Sequence, residues 1–481
     1  MFIAVNPTAG NAVSDHGAAN HERLMNDLLD DEVLALMMAD AGVQLQGIPA
    51  RPHLAPAPLS FAQQRLWFVQ QLNPDSAAYN LPRAVRLKGT LQTRHLEAAL
   101  NKVIDRHDVL RSAIVEIDGV AMQVVDQLAT LKLAFEDLRH LSAEVREAQL
   151  AQRLCSEAGK PFDLTQAPLM RATLLQIADD EHLLLMNMHH IASDAWSNAI
   201  LMQDLMQAYA QVGAGNPSPL RRPAIQYADY ANWQRGEYLD SAACAASADY
   251  WRDYLGHTLP PLDLPTDFPR HEQNTHPAGK YDFSLPAALT RNLNRFCQQS
   301  GLTPFVVALG AWQLLLSRYS NQHDFTVGVP NASRNRSETQ ELVGFFVSAQ
   351  VYRVRIDPQL PCKDFFQRLR RETLAALDHA DYPLELSFDA LQLQSNRQAN
   401  PLFQVLFNWR TQASDDGPLM LGDLALDFLQ AGTTQAKFDL SLDVGYSLDG
   451  IDASLEYSRD LFAPATLQRL AGHWQNLLQA I

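Results

Sequence analysis

Cysteine is scarce in this 481-residue chain: Cys155, Cys244, Cys297 and Cys362 stand far apart, without the paired spacing of a zinc or redox site. A chain of this length does not depend on disulfides, so reduced thiols in a cytoplasm are the expectation. Long apolar runs are missing too, none approaching the roughly 18 residues of a spanning helix. The opening Met1-Phe2-Ile3-Ala4-Val5-Asn6 carries neither a basic stretch nor a long apolar one, and no membrane partner is expected. There is no long Lys/Arg run, and 38 basic against 54 acidic residues leave a formal charge of −16, which argues against nucleic acid as a partner. The GxSxG elbow of serine hydrolases is absent as well.

What the chain does have is core-forming material: 47 % of its residues are apolar. Its length suits two domains of roughly 200 residues each. Residues 1–22 are rich in small and polar types without periodicity and read as a disordered N-terminus. Residues 23–57 hold an amphipathic helix, with Leu29, Val33, Leu36 and Met37 on one stripe and acids in its first turn, and then a Pro-rich linker. This segment is a candidate docking element toward an upstream partner, through residues 23–45. From Pro58 onward helices and strands alternate without segregation, so the fold class is α/β with mixed sheets. Gly213-Ala214-Gly215-Asn216-Pro217-Ser218-Pro219 breaks the pattern, and a boundary near residue 225 divides a first unit, 58–225, from a second, 226–481. Tyr227-Ala228-Asp229-Tyr230-Ala231-Asn232-Trp233 starts a helix assigned to the second unit.

The chemistry concentrates where the apolar run Leu183 to Met188 ends in His189-His190, followed by Ile191-Ala192-Ser193-Asp194-Ala195. Neighbouring strand residues face opposite ways, so one histidine is expected to face a cavity and the other to pack. Asp194 or Ser193 is a good cap for the helix that Trp196, Ile200, Leu201 and Leu205 predict. A metal pair would need a third ligand, and none is identifiable nearby.

Seven short motifs follow one another in a telling order: Ser60-Phe61-Ala62-Gln63-Gln64-Arg65-Leu66-Trp67, Arg106-His107-Asp108-Val109-Leu110-Arg111, His189-His190 with Asp194, Tyr227 to Trp233, Gly344-Phe345-Phe346-Val347, His379 to Glu385, and Asn400 to Val405. In these the chain from Pro58 to Ile481 resembles the condensation domain of nonribosomal peptide synthetases, and within it the subtype joining an L-configured donor to an L-configured acceptor. The resemblance implies two chloramphenicol-acetyltransferase-like lobes in a V, with a tunnel between them. Upstream donor and downstream acceptor carrier proteins would reach the tunnel from opposite ends on phosphopantetheine arms, the domain binding no cofactor or metal of its own. The implied reaction is amide formation between carrier-bound thioesters, an acyltransferase activity. His190 would be the histidine in the tunnel, with His189 and Asp194 completing the motif and Asp194 turned to an arginine of the second lobe. Arg334 is the candidate for that arginine and Arg336 the alternative. Ala195, Trp196, Ser197, Gly344 and Ser348 would lie near the site. Ala195 replaces the family's glycine, Ser348-Ala349 its usual Asn-Thr, and Leu384 a common Phe. A related HxxxD acyltransferase acting on a free acceptor, whose plant-type members carry a DFGWG motif absent here, and a non-catalytic recruiting domain of the same fold are the competing readings. A monomer is expected.

Overall fold

The computed structural model describes residues 47–52, 54–271, 277–383, 385–387, 402–411, 419–429, 435–448 and 450–481. The expected disordered stretch 1–22, the amphipathic helix and docking segment, Leu384, and the Asn400-Pro401 pair lie outside them.

The first core is built from β1 (Ala57–Pro58), α1 (Phe61–Leu72), β2 (Asn80–Lys88), α2 (Thr93–Arg106), β3 (Ser112–Ile117), β4 (Val120–Val125), β5 (Ala134–Asp137), α3 (Ala143–Gly159), β6 (Met170–Ala178), β7 (Glu181–His189) and α4 (Ala195–Gly213). Strand β7 is covered on both faces, which is why its sequence is apolar without alternation. Leu184, Met186 and Met188 enter the main core of this half, whereas Leu183 and Leu185 join a smaller cluster with Leu150 of α3. The β3–β4 hairpin turns at Asp118 and Gly119, both with positive φ (51° and 78°), the backbone that a two-residue turn of this kind needs.

After α5 (Tyr227–Trp233) and α6 (Ala242–Leu255), the second core is built from β8 (Ala278–Leu285), α7 (Ala287–Ser300), α8 (Pro304–Ser320), β9 (Asp324–Asn331), β10 (Ser348–Arg355), α9 (Cys362–Asp378), β11 (Val405–Thr411), β14 (Leu440–Tyr446), β15 (Ile451–Ser458) and α10 (Pro464–Ala480), with β12 (Leu419–Leu421) and β13 (Leu424–Leu429) inserted before β14. Helix α8 is apolar nearly all round and accordingly central: Val307, Leu309, Trp312 and Leu316 are fully enclosed. Thr303 caps it by accepting from the Val306 N–H. The hairpin legible in the alternation of Leu440, Leu442 and Val444 forms in register, Leu442 opposite Leu455.

Each half carries a six-stranded mixed sheet, and β1, β4 and β3 form a small third one. The second sheet runs β10-β9-β11-β14-β15-β8. The first runs β12-β13-β2-β7-β6-β5, so two strands of the second half complete the sheet of the first. Leu421, Leu424 and Leu426 bury their side chains in the first core, and Leu426 pairs with Leu87. The open edge of β2 is what receives them.

Two expectations are corrected. The boundary near 225 does not separate the cores: Tyr227, Trp233, Tyr238 and Cys244 pack in the first core, and the change falls inside α6, whose Trp251 and Leu255 belong to the second. The Gly/Pro-rich stretch is a surface loop within one lobe, and the aromatic side chains of α5 hold that helix to the first core. The Pro-rich stretch is likewise no free spacer. Ile48 is buried, Arg51 forms a buried ion pair with Asp229 on α5 at 2.7 Å, and β1 pairs with β4.

Candidate active site

Strand β7 ends at His189, and a single tight turn, His190 to Ala192, leads through Ser193 to Asp194 at the cap of α4. The two histidines part company there. His189 is 1 % exposed, between the rings of Tyr79 and Phe162, and its Nδ1 accepts from the Ile191 N–H at 3.1 Å. Its proton therefore sits on Nε2, which has no partner among the described residues. His190 is half-buried and meets the Phe345 ring edge to face, with 4.8 Å between centroids. Its Nδ1 lies 2.8 Å from the Ser193 carbonyl oxygen. A carbonyl only accepts, so Nδ1 carries the hydrogen and Nε2 keeps its lone pair. Burial pushes the pKa of His190 down to about 4, assisted by the ammonium of Lys437, and burial pushes His189 down to about 3. Both rings are neutral at pH 7.

Asp194 points away from His190 into a fully enclosed network. Its Oδ1 accepts from the N–H and the hydroxyl of Ser197 at 2.8 and 2.7 Å, and its Oδ2 accepts from the Phe346 N–H at 3.1 Å. Arg334 completes it, with Nη2 at 3.2 and 3.3 Å from the two carboxylate oxygens and 3.0 Å from Ser197 Oγ. The other guanidinium nitrogen, Nη1, donates to the carbonyls of Thr339 and Leu342 at 2.6 and 2.7 Å. The Phe346 ring lies 4.1 Å from the guanidinium carbon, a cation–π contact that suits a desolvated arginine. The two halves of the chain are thus joined at the active-site loop by a buried ion pair. Arg336, the alternative, lies instead over the Trp233 ring.

Ala195 is the first residue of α4 in right-handed helical geometry, with its methyl group exposed, so it introduces no backbone strain. Trp196 donates from Nε1 to the Gln340 carbonyl at 3.0 Å. Gly344 donates its N–H to Ser197 Oγ at 3.1 Å, and a Cβ there would fall 1.9 Å from the Tyr227 ring, so only glycine fits. Ser348 opens β10, its Oγ 2.7 Å from that of Ser333 and its side chain lining a small cavity with Trp251, Gln350 and Tyr382.

Tyr227, Tyr79 and Lys437, none of them assigned a role from the sequence, complete the site. Tyr227 donates to the Phe345 carbonyl at 2.6 Å and meets Ser60 Oγ at 2.8 Å, linking three of the motifs. The Tyr79 carbonyl accepts from the His190 N–H at 2.8 Å. Lys437, from the second half, brings its ammonium to 5.6 Å from the Tyr79 ring centre. The motif that opens at Tyr227 is visible in the sequence as such; nothing local marks Lys437. Among the described residues, no cluster of His, Cys, Asp and Glu could hold a metal ion.

Residues 55–481 match the family profile described as "Condensation domain". The chain is 37 % identical over 453 residues to one of the linear gramicidin synthase proteins of Brevibacillus parabrevis, a match covering 94 % of this chain and 6 % of that protein. It is 39 % identical over 424 residues to malpinin synthetase of Mortierella alpina, covering 88 % of this chain and 5 % of that one. The chain thus spans less than a tenth of the length of these curated relatives. Among solved structures, the X-domain from teicoplanin biosynthesis superposes with a TM-score of 0.80 at 25 % identity, over 90 % of this chain and 97 % of that one. The likeness carries the chloramphenicol-acetyltransferase-like fold of two lobes in a V.

Proposed function

The chain belongs to the condensation-domain family, and from that premise we propose that it joins two carrier-bound thioesters by an amide bond. The upstream donor carrier and the downstream acceptor carrier would each deliver a phosphopantetheine arm. The observation that carries this reading is the state of His190: Nδ1 is tied to the Ser193 carbonyl, and Nε2 is left with a free lone pair on a half-buried ring.

The acceptor amine adds to the donor carbonyl carbon, forming the C–N bond as the C=O pair moves to oxygen. Nε2 of His190 takes the proton that the nitrogen sheds, and the adduct collapses with loss of the donor arm as a thiolate, which is then protonated. General base help of this kind is worth roughly 10²–10⁴ in rate. A ring with so low a pKa is a weak base, so its orienting hydrogen bond to the incoming amine contributes alongside proton transfer. Asp194 and Arg334 hold the loop that aims it. The free thiols Cys155 and Cys362 are exposed, which suits a reducing, cytoplasmic setting.

The test loads donor and acceptor carriers with thioesters and follows condensation by intact-protein mass. Product is expected from the native chain and a loss of two orders of magnitude or more, roughly, from His190→Ala. Equal product from His190→Ala would overturn the role of the histidine, and no transfer between any loaded pair would overturn the activity.

A further inference from the structure

Amine addition to a thioester puts a full negative charge on the carbonyl oxygen, and a site that performs it gains from hydrogen-bond donors or a positive group there. Several donors around His190 are already engaged. The N–H groups of His190 and Ile191 are taken by Tyr79 and His189, those of Gly344 and Phe346 by Ser197 and Asp194. Arg334 spends both terminal nitrogens on Asp194, Ser197, Thr339 and Leu342.

Lys437 is different. It reaches across from the second half to Tyr79 of the first, and Tyr79 holds the His190 backbone. Among the described residues, no carboxylate lies within ion-pair distance of it; Glu456 acts on it only at longer range, and Arg65, a like charge, is turned to Glu385 at 3.6 Å. The residue is exposed by its surface area, while desolvation by the protein around the ammonium lowers its pKa. The backbone that carries it is anchored by the next two residues: Phe438 stacks on Phe403, and the Asp439 carboxylate pairs with Arg270. A solvated surface lysine has none of these constraints.

We propose that Lys437 is the electrostatic partner of the oxyanion, its ammonium held over Tyr79 beside His190 to stabilise the charge that develops on the thioester oxygen. The assignment rests on the condensation reading. As the C–N bond forms, the carbonyl π pair moves to an oxygen facing the Lys437 ammonium, while the amine proton passes to His190 Nε2. The C–S bond then breaks, the oxygen pair returns, and sulfur leaves as thiolate. The same ammonium repels a proton from His190 and so keeps its lone pair available. The other ionisable groups around that ring are His189 and Asp194, the last already neutralised by Arg334.

The experiment measures kcat and KM for loaded carriers, with pH–rate profiles, for Lys437→Met and Lys437→Arg. Lys437→Met should lose about 10²-fold in kcat with KM for both carriers nearly unchanged. Its acid limb should move up toward the ordinary histidine range, and Lys437→Arg should restore most of the rate. A Lys437→Met enzyme with kcat within about twofold of the native value overturns the proposal. So does a raised KM at constant kcat, which would make Lys437 a binding residue for the arm, or a loss of rate matched by an equal loss of Tm. A native chain that transfers nothing would defeat the condensation reading itself, a result distinct from all three.

Discussion

A histidine held neutral by burial has consequences on both sides of its titration. The folded protein keeps His190 and His189 unprotonated down to about pH 4 and about pH 3, whereas the unfolded chain protonates them near pH 6.5. Their contribution to stability is therefore fully present above about pH 6.5 and is lost as pH falls through that value toward the folded ones, by about 1.4 kcal/mol per pH unit for each proton taken up on unfolding. Thermal melts between pH 7 and pH 4 should show Tm falling on acidification, and His189→Phe should flatten that slope; an unchanged slope would contradict a buried neutral His189. The acid limb of kcat should lie well below 6.5 for the same reason. Asp194 sits at the opposite extreme, a charge that cannot be left alone. Asp194→Ala strands the Arg334 guanidinium in an enclosed site, a change that costs roughly 3–5 kcal/mol, so soluble yield and Tm should both drop. A normally stable Asp194→Ala protein would refute the network. Gly344→Ala should be comparably damaging through overpacking against Tyr227, since the added methyl has nowhere to go. Solubility and Tm report it directly.

The elements differ in how far their sequences disclosed them. The apolar strand that ends at His189 and the helix capped by Asp194 were legible because the pattern that forms them is local. The two histidines do face different ways, but strand pleating does not decide it: the strand ends at His189, and His190 opens the tight turn that leads to Asp194. The arginine partner of Asp194 came only through family resemblance, since nothing in the loop from Asn331 to Arg336 says which of its two arginines turns inward. Lys437 and the pairing of β13 with β2 were not legible at all. The partners lie far apart in the chain, and a strand's pattern does not say which sheet it enters. The upstream stretch teaches the same lesson in reverse, because prolines suggested a spacer where Ile48 and Arg51 are docked. Arg51 donates both to Asp229, the residue that also accepts from the Gln226 N–H, and to the Ala55 carbonyl. A truncation starting at Pro52 should therefore melt several degrees below one starting at Gly47 and leave Asp229 without its cation. Equal melting of the two truncations would show the strap to be dispensable.

At the scale of the whole molecule, the second half of the chain enters the first lobe three times over: Arg334 pairs with Asp194, Phe346 packs edge to face on Tyr227 within the first core, and β13 ladders onto β2. Bodies joined this tightly should not unfold separately. Calorimetry should show a single transition, and two resolved transitions would mean that the shared sheet contributes little. A charge placed at a buried position of that sheet, Leu426→Asp, should lower the one transition rather than split it. The ladder running from Ala84–Lys88 to Ala425–Leu429 also bears on recombination. A chimaera made by one crossover between the cores gives the first half a foreign edge strand, so the two parents must agree at that edge in register and in the leucines it buries. Two further crossovers that carry 419–429 along with the first half keep the native sheet whole, which makes the completed sheet, rather than a contiguous run of sequence, the natural unit of exchange.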